Sequence, residues 1–232
     1  PRLSQRGDPF RQFIGISSYA ERMLLHENSL VKIDPDLPLD RAALVGCGVL
    51  TGVGAALRTS GLEAGQTVAV FGCGGVGLSI VQGARIGGAR QIIAVDIFES
   101  KLEMARRVGA THAVNSGQDD PVKAVRALTA GAGVDHAFEA VGNATLVRQA
   151  IESLAIRGTL ALFGAVSGPV PPFDPQRLNA AGSVYLIRPS RLHFIRTRDE
   201  FAWRTGELLD SIADGTITVT IGANYPLKDA AQ

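Results

Sequence analysis

No stretch of the chain limits its possible folds more than Thr67 to Asp96. An apolar run, TVAVF, gives way to Gly72-Cys73-Gly74-Gly75-Val76-Gly77; a helical pattern follows, and a second apolar run, QIIAVD, closes on an acid. Short continuous apolar runs bounded by glycine suit strands buried on both faces, and the intervening 3.6-residue period suits a crossover helix.

The alternation continues through most of the chain. The sequence predicts strands at Thr67–Phe71, Gln91–Asp96, His112–Asn115, Val134–Glu139, Thr159–Phe163 and Val184–Ile187, and helices over Gly75–Ile86, Ser100–Val108, Pro121–Thr129 and Ala144–Leu154. Strands joined through helices in this way specify an α/β fold, a doubly wound parallel six-stranded sheet of the Rossmann type. An amphipathic helix over Arg198–Ala213 and a final strand over Thr216–Ile221 follow. Ahead of the sheet, AERMLLH and SLVKI read as strand fragments, and DPDLPLD as a proline-rich link into a helical region.

Within that fold the glycine cluster acquires a chemical meaning. It satisfies G-x-G-x-x-G directly after a strand and at the start of a helix, where glycines permit a tight turn and free amides favour a pyrophosphate. Asp96 stands at the end of the second strand, about 20 residues on, where its carboxylate can accept hydrogen bonds from adenosine ribose hydroxyls and would repel a 2′-phosphate. The expected cofactor is therefore NAD rather than NADP. Cys73 fills a freely variable position and reads as a small packed side chain.

Composition removes other functions. The 232 residues are 46% hydrophobic and 19% charged with a formal charge of +1, and the basic residues do not gather in runs, so neither nucleic acid nor an acidic membrane is an expected partner. Cys47 and Cys73, the only cysteines, lie in apolar glycine-rich stretches and form no secreted-type disulfide framework, which fits a reducing cytoplasm. The long uncharged stretches Ala42–Leu57 and Thr67–Ala84 are broken by glycines and read as buried strand-turn-helix rather than membrane spans. The chain opens on Pro1 without a leader-like segment and reads as a piece of a longer protein.

GCGVLTGVGAAL, GQTVAVFGCGGVGLSIVQGARIGGARQIIAVD and KLEMARRVGATHAVN together resemble the medium-chain dehydrogenases of the zinc-dependent alcohol dehydrogenase type, over about residues 14–162. The resemblance implies remnants of a mostly β, GroES-like catalytic domain at both ends: residues 1–40, then the NAD-binding domain with its linking helices over 41–215, then a return over 216–232. It also implies that Thr51 touches the nicotinamide with Val76 beneath it, that Gly72, Gly74, Gly75, Val76 and Gly77 form the pyrophosphate loop, and that Asp96 and Lys101 hold the adenosine ribose. Ala140, Val141, Gly164 and Ala165 would line the rest of the groove. Cys47 matches the last cysteine ligand of the family's catalytic zinc, whose other ligands and proton relay come from segments with no counterpart here; zinc is thus expected only in a full-length protein, and no catalytic residue is assigned. His26, His112, His136 and His193 carry no ligand spacing and read as surface or packed residues.

From Phe163 onward, FGAVSGPVPPFDPQRL, GSVYLIRPSRLHFI and GELLDSIADGTITVTIGANYPLKDAAQ look more like zinc-independent quinone oxidoreductases of the same superfamily. The expected activity is hydride transfer between NAD and an alcohol/aldehyde pair, zinc-assisted in the full-length enzyme. The alternatives are a quinone oxidoreductase without zinc and a catalytically silent NAD-binding module. Family dimers commonly join sheets at the last strand, here Val184–Ile187, so a homodimer or homotetramer is expected.

Overall fold

The structure, a computed structural model, describes residues 3–10, 19–168, 170 and 172–229. A short antiparallel hairpin, β1 (Leu3–Gln5) and β2 (Asp8–Phe10), comes first. The body is a six-stranded sheet of β3 (Thr67–Phe71), β4 (Gln91–Asp96), β5 (His112–Asn115), β6 (Val134–Glu139), β7 (Leu154–Leu162) and β8 (Tyr185–Ile187), in the order β5-β4-β3-β6-β7-β8. Every neighbouring pair is parallel. The order reverses between β3 and β6, and in doubly wound sheets that crevice receives the ligand.

Helices cover both faces. They are α1 (Leu39–Thr59), α2 (Gly75–Ile86), α3 (Glu99–Val108), α4 (Pro121–Leu128), α5 (Ala144–Glu152), α6 (Gln176–Ala180) and α7 (Arg198–Ala213). Alternation along β3 assigns the faces: Val68 and Val70 pack with Ile80, Val81, Ala84 and Ala56 of α2 and α1, whereas Ala69 and Phe71 pack with Val125, Val147, Ala150 and Ile151 of α4 and α5. All five β3 residues are buried, so the strand has no polar face to expose. A third cluster joins Val49, Val53, Leu208 and Ile212 of α1 and α7 to Leu37 and Ile217 from the flanking segments.

The sequence reading needs correction in four places. First, Ala42–Leu57 is not strand-turn-helix but lies within α1, a continuous helix with π-turns over Val45–Val49 and Ala55–Thr59. Of its glycines Gly52 is a packing residue, since a Cβ there would stand 2.4 Å from the Val76 carbonyl oxygen, whereas one on Gly46, Gly48 or Gly54 would meet nothing within 4 Å; across the contact, a Cβ on Gly83 of α2 would meet Ala56 and Val53 at 3.0 Å. Helix α1 is long and apolar enough, by length and composition, to cross a membrane, with mean hydropathy 1.5, and it packs along α2. Second, AERMLLH and SLVKI form no strands; residues 27–29 make one 3₁₀ turn. Third, residues 216–221 run extended without joining the sheet. Gln82 stands in for a strand there, donating to the Thr218 carbonyl at 3.0 Å and accepting from its amide at 2.7 Å. Fourth, β7 begins at Leu154, earlier than Thr159, because its pairing with β6 slips between Val134 and His136, and Arg157 sits at φ 62°. The span of resemblance that begins near Ile14 starts outside the described residues, as do the last three residues of the return segment.

Candidate functional site

The turn after β3 shows why four glycines occupy six positions. Gly72 has φ +93°, and a Cβ there would strike the Val141 side chain at 2.6 Å. Gly77 lies against the turn itself, since its Cβ would fall 1.9 Å from the Gly72 carbonyl oxygen. Gly74 and Gly75 differ: a Cβ on either would meet nothing within 4 Å. Two glycines therefore bring the helix start onto the strand end, and two leave bare backbone at the N-terminus of α2, where unpaired amides and the helix dipole favour an anion.

Asp96 closes this cradle from β4. Its Oδ2 accepts from the Cys73 amide at 2.8 Å and its Oδ1 from the Phe98 amide at 3.0 Å, while Lys101 Nζ stands 4.0 Å from Oδ2 and 4.9 Å from the centre of the Phe98 ring. Each carboxylate oxygen has more than one acceptor position, so capacity for a ribose hydroxyl is left over. The Cys73 side chain plays no part in this: it is fully buried among Ala94, Leu102 and Ala105, and burial, with the Asp96 charge adding to it, pushes its thiol up to about 12. A thiol that stays protonated is neither nucleophile nor metal ligand.

Sequence reasoning missed Glu139. It ends β6 as Asp96 ends β4, and an acid closing a buried apolar strand was the available signal. Glu139 is 0% exposed; its Oε1 accepts from the amides of Val141 and Gly142, each at 2.8 Å, and Oε2 accepts from Gly142 at 2.9 Å. Burial raises its pKa, against which the Gly142 and Val141 amides and the Arg188 charge work. The carboxylate thereby fixes the loop that carries Ala140 and Val141. That loop crosses the one after β7 backbone to backbone, since a Cβ on Gly164 would lie 1.8 Å from the Gly142 nitrogen.

Between the two loops, α1 and the segment after β8 lies a cavity of about 430 Å³. Cys47, Thr51, Val76, Ala140, Gly164 and Ala165 all line it, so residues up to 118 positions apart in sequence meet at one place. Val141 instead turns toward Gly72. Leu50, Phe163, Phe194 and Ile195 make much of the wall apolar, and three arginines, Arg58, Arg191 and Arg204, also line it; none of these had been singled out. A largely apolar slot beside an anion cradle is the surface a dinucleotide requires, and these residues fit one.

Zinc is different. Among the described residues no group of three or more His, Cys, Asp or Glu side chains is placed to hold a metal. Cys47 is exposed; His136 pairs with Gln66 at 2.8 Å, and burial lowers its pKa; His26 caps a 3₁₀ turn; His112 pairs with Thr111 at 2.9 Å. A catalytic zinc takes three protein ligands, so the described residues do not make its site, and no step below passes through it.

Residues 75–201 match the family described as zinc-binding dehydrogenase. Over 152 residues the chain is 41% identical to alcohol dehydrogenase class-3 of Zea mays, covering 65% of this chain and 40% of that protein. A mycobacterial protein solved in complex with NADPH superposes with a TM-score of 0.84 at 43% identity, over 91% of this chain and 65% of that one. Escherichia coli quinone oxidoreductase, also complexed with NADPH, gives a TM-score of 0.78 at 31% identity, over 85% of this chain and 61% of that one. The chain spans about two-fifths of the length of the curated relatives it matches.

Proposed function

The chain belongs to the zinc-binding dehydrogenase family, within the medium-chain dehydrogenases, and from that premise we propose that it binds NAD and serves an oxidoreductase that exchanges hydride with a small alcohol, aldehyde or quinone. The observation that carries the reading is the cradle: Gly74 and Gly75 leave open backbone at the α2 N-terminus, and the Asp96 carboxylate stands 2.8 Å from the Cys73 amide inside the same turn.

Bound nicotinamide supplies the hydride acceptor or donor. The protein's share is to hold and shield it. The amides of the Gly74–Gly75 turn take the pyrophosphate charge; Asp96, with Lys101 beside it, takes the adenosine ribose; Thr51, Val76, Ala140, Gly164 and Ala165 bound the nicotinamide end. Apolar side chains such as Leu50, Phe163 and Ile195 exclude water, which strengthens any electrostatic interaction inside the slot. Two similar proteins were solved with NADPH, but a buried carboxylate at the ribose would face a 2′-phosphate, and this supports NAD here.

Fluorescence titration with NADH and NADPH tests the assignment. NADH is expected to bind at least about tenfold more tightly, and Asp96→Ala to narrow that ratio. NADPH binding as tightly as NADH would overturn it.

A quinone or enone acceptor is the second reading for the substrate. It is favoured by the structural likeness, since a mycobacterial quinone oxidoreductase superposes at 44% identity and benzyl alcohol dehydrogenase of Acinetobacter calcoaceticus at 32%, each over 88% of this chain. The edge strand β8, where Tyr185 is 63% exposed, supports assembly of copies through that edge.

A further inference from the structure

The cavity that takes the nicotinamide end carries charge of one sign only. Arg58, Arg191 and Arg204 line it, and among the described residues no aspartate or glutamate does. Two of the three are compensated from α7: Arg58 stands 3.5 Å from Glu207 and Arg204 stands 3.2 Å from Glu200, and both guanidinium groups flank the Trp203 ring. Arg191 has no acidic partner among the described residues; its Nη1 donates to the Gly46 carbonyl, a neutral group in the π-turn of α1. One backbone acceptor leaves most of a guanidinium's five donors unused.

The cavity lining places the charge. Arg191 borders the cavity together with Cys47 and Thr51 of α1, and Gly46 adjoins Cys47, so the guanidinium lies beside the stretch of α1 that faces the nicotinamide end. The cofactor's own phosphates do not account for it. Neither Gly74 nor Gly75 lines this cavity; Gly75 opens onto a neighbouring one with Gly48, Leu78 and Ser79, and Cys47 borders both. A cation that lines an apolar slot with no acidic partner among the described residues selects an anion on the other reactant.

We propose that the substrate of this site is anionic, a small carbonyl compound or alcohol bearing a carboxylate, and that Arg191 is the residue that seats that carboxylate. This deepens the cofactor reading and rests on it. The geometry suits a bidentate pair, in which the two oxygens of a carboxylate meet the guanidinium fork while the remainder of a short substrate reaches toward Thr51 and Ala140.

The test uses benzoate and benzamide, which share shape and differ in charge, titrated into the chain saturated with NADH. Benzoate is expected to bind about tenfold or more tightly than benzamide. Arg191→Gln should reduce benzoate to the benzamide level with the NADH dissociation constant and the urea midpoint unchanged, and Arg191→Lys should keep part of the preference. Equal binding of the two probes to the NADH-loaded protein would overturn the anion subsite alone. An NADH affinity that falls in Arg191→Gln as far as benzoate affinity does would assign the arginine to the cofactor and overturn it too. Failure of NADH to bind the wild-type chain would be seen in the first titration and would overturn the cofactor reading, and this proposal with it.

Discussion

Gly74 and Gly77 sit three residues apart in one turn, and adding the same methyl group to each should give opposite results. In Gly77→Ala the new Cβ lies 1.9 Å from the Gly72 carbonyl oxygen and 2.9 Å from its carbon, both backbone atoms. No rotamer can relieve that contact, so the start of α2 must retreat by more than an ångström from the end of β3. Overpacking of this kind costs about 1–3 kcal/mol, and a backbone-on-backbone clash belongs at the upper end. For a chain of this size that corresponds to a fall in Tm of roughly 6–12 °C.

In Gly74→Ala the methyl meets nothing within 4 Å, and the backbone, at φ −76° and ψ −168°, is open to any residue. Alanine is a poorer helix N-cap than glycine, but it removes disorder from the unfolded chain; the terms are each about 0.5–1 kcal/mol and opposed, so stability should stay within about 0.5 kcal/mol of wild type. The methyl would instead occupy the ground a pyrophosphate needs. Losing one charge-assisted hydrogen bond costs about 1.5–3 kcal/mol, which is roughly a ten- to hundredfold loss of NADH affinity. Urea and thermal unfolding report the first quantity and NADH fluorescence titration the second. A Gly77→Ala protein as stable as wild type would refute the packing argument, and a Gly74→Ala protein with unchanged NADH affinity would refute the cradle.

Glu139 should tie stability to pH. Its folded pKa is raised, so between the ordinary carboxylate value of about 4.3 and that raised value the native chain binds the extra proton, and stability falls as pH rises through the window. Glu139→Gln, which cannot ionise, should lose that slope in urea titrations across the window; an unchanged slope would remove Glu139 as its source. Asp120 caps α4 by accepting from the amides of Val122 at 2.9 Å and Lys123 at 3.2 Å, ahead of Pro121 in the first turn. Asp120→Ala should cost about 1 kcal/mol, a drop of about 2–4 °C in Tm, with NADH binding unaffected.

The sheet and its crossover helices were legible in the sequence because the strands are buried on both faces and each helix shows a one-sided period. Strands β3, β4, β5 and β6 fall where the residue pattern places them. The glycine turn was legible for the same reason: its demands are local, a positive φ at Gly72 and bare backbone at Gly74. Helix α1 was misread because Gly46, Gly48, Gly52 and Gly54 look like breakers in a linear sequence. Only the packed molecule shows that Gly52 is small because the Val76 carbonyl and the Ser79 Cβ stand 2.4 Å and 2.5 Å from where its own Cβ would be.

The same division runs through the site. Hydrophobic period, glycine spacing and an acid at a strand end act over a few residues, and they are enough to write down a parallel sheet, an anion cradle and Asp96 beside it. The cavity proposed for the nicotinamide belongs to the tertiary structure. Thr51, Ala140 and Gly164 come from three distant segments, and Glu139 takes on its role only when the fold strips water from its carboxylate and turns the Val141 and Gly142 amides upon it. Arg191 is one basic residue among several in RPSRLHFIRTR until the fold sets it beside Gly46 with no acidic partner among the described residues. Charge compensation and desolvation depend on what lies across space, and linear order carries no record of either.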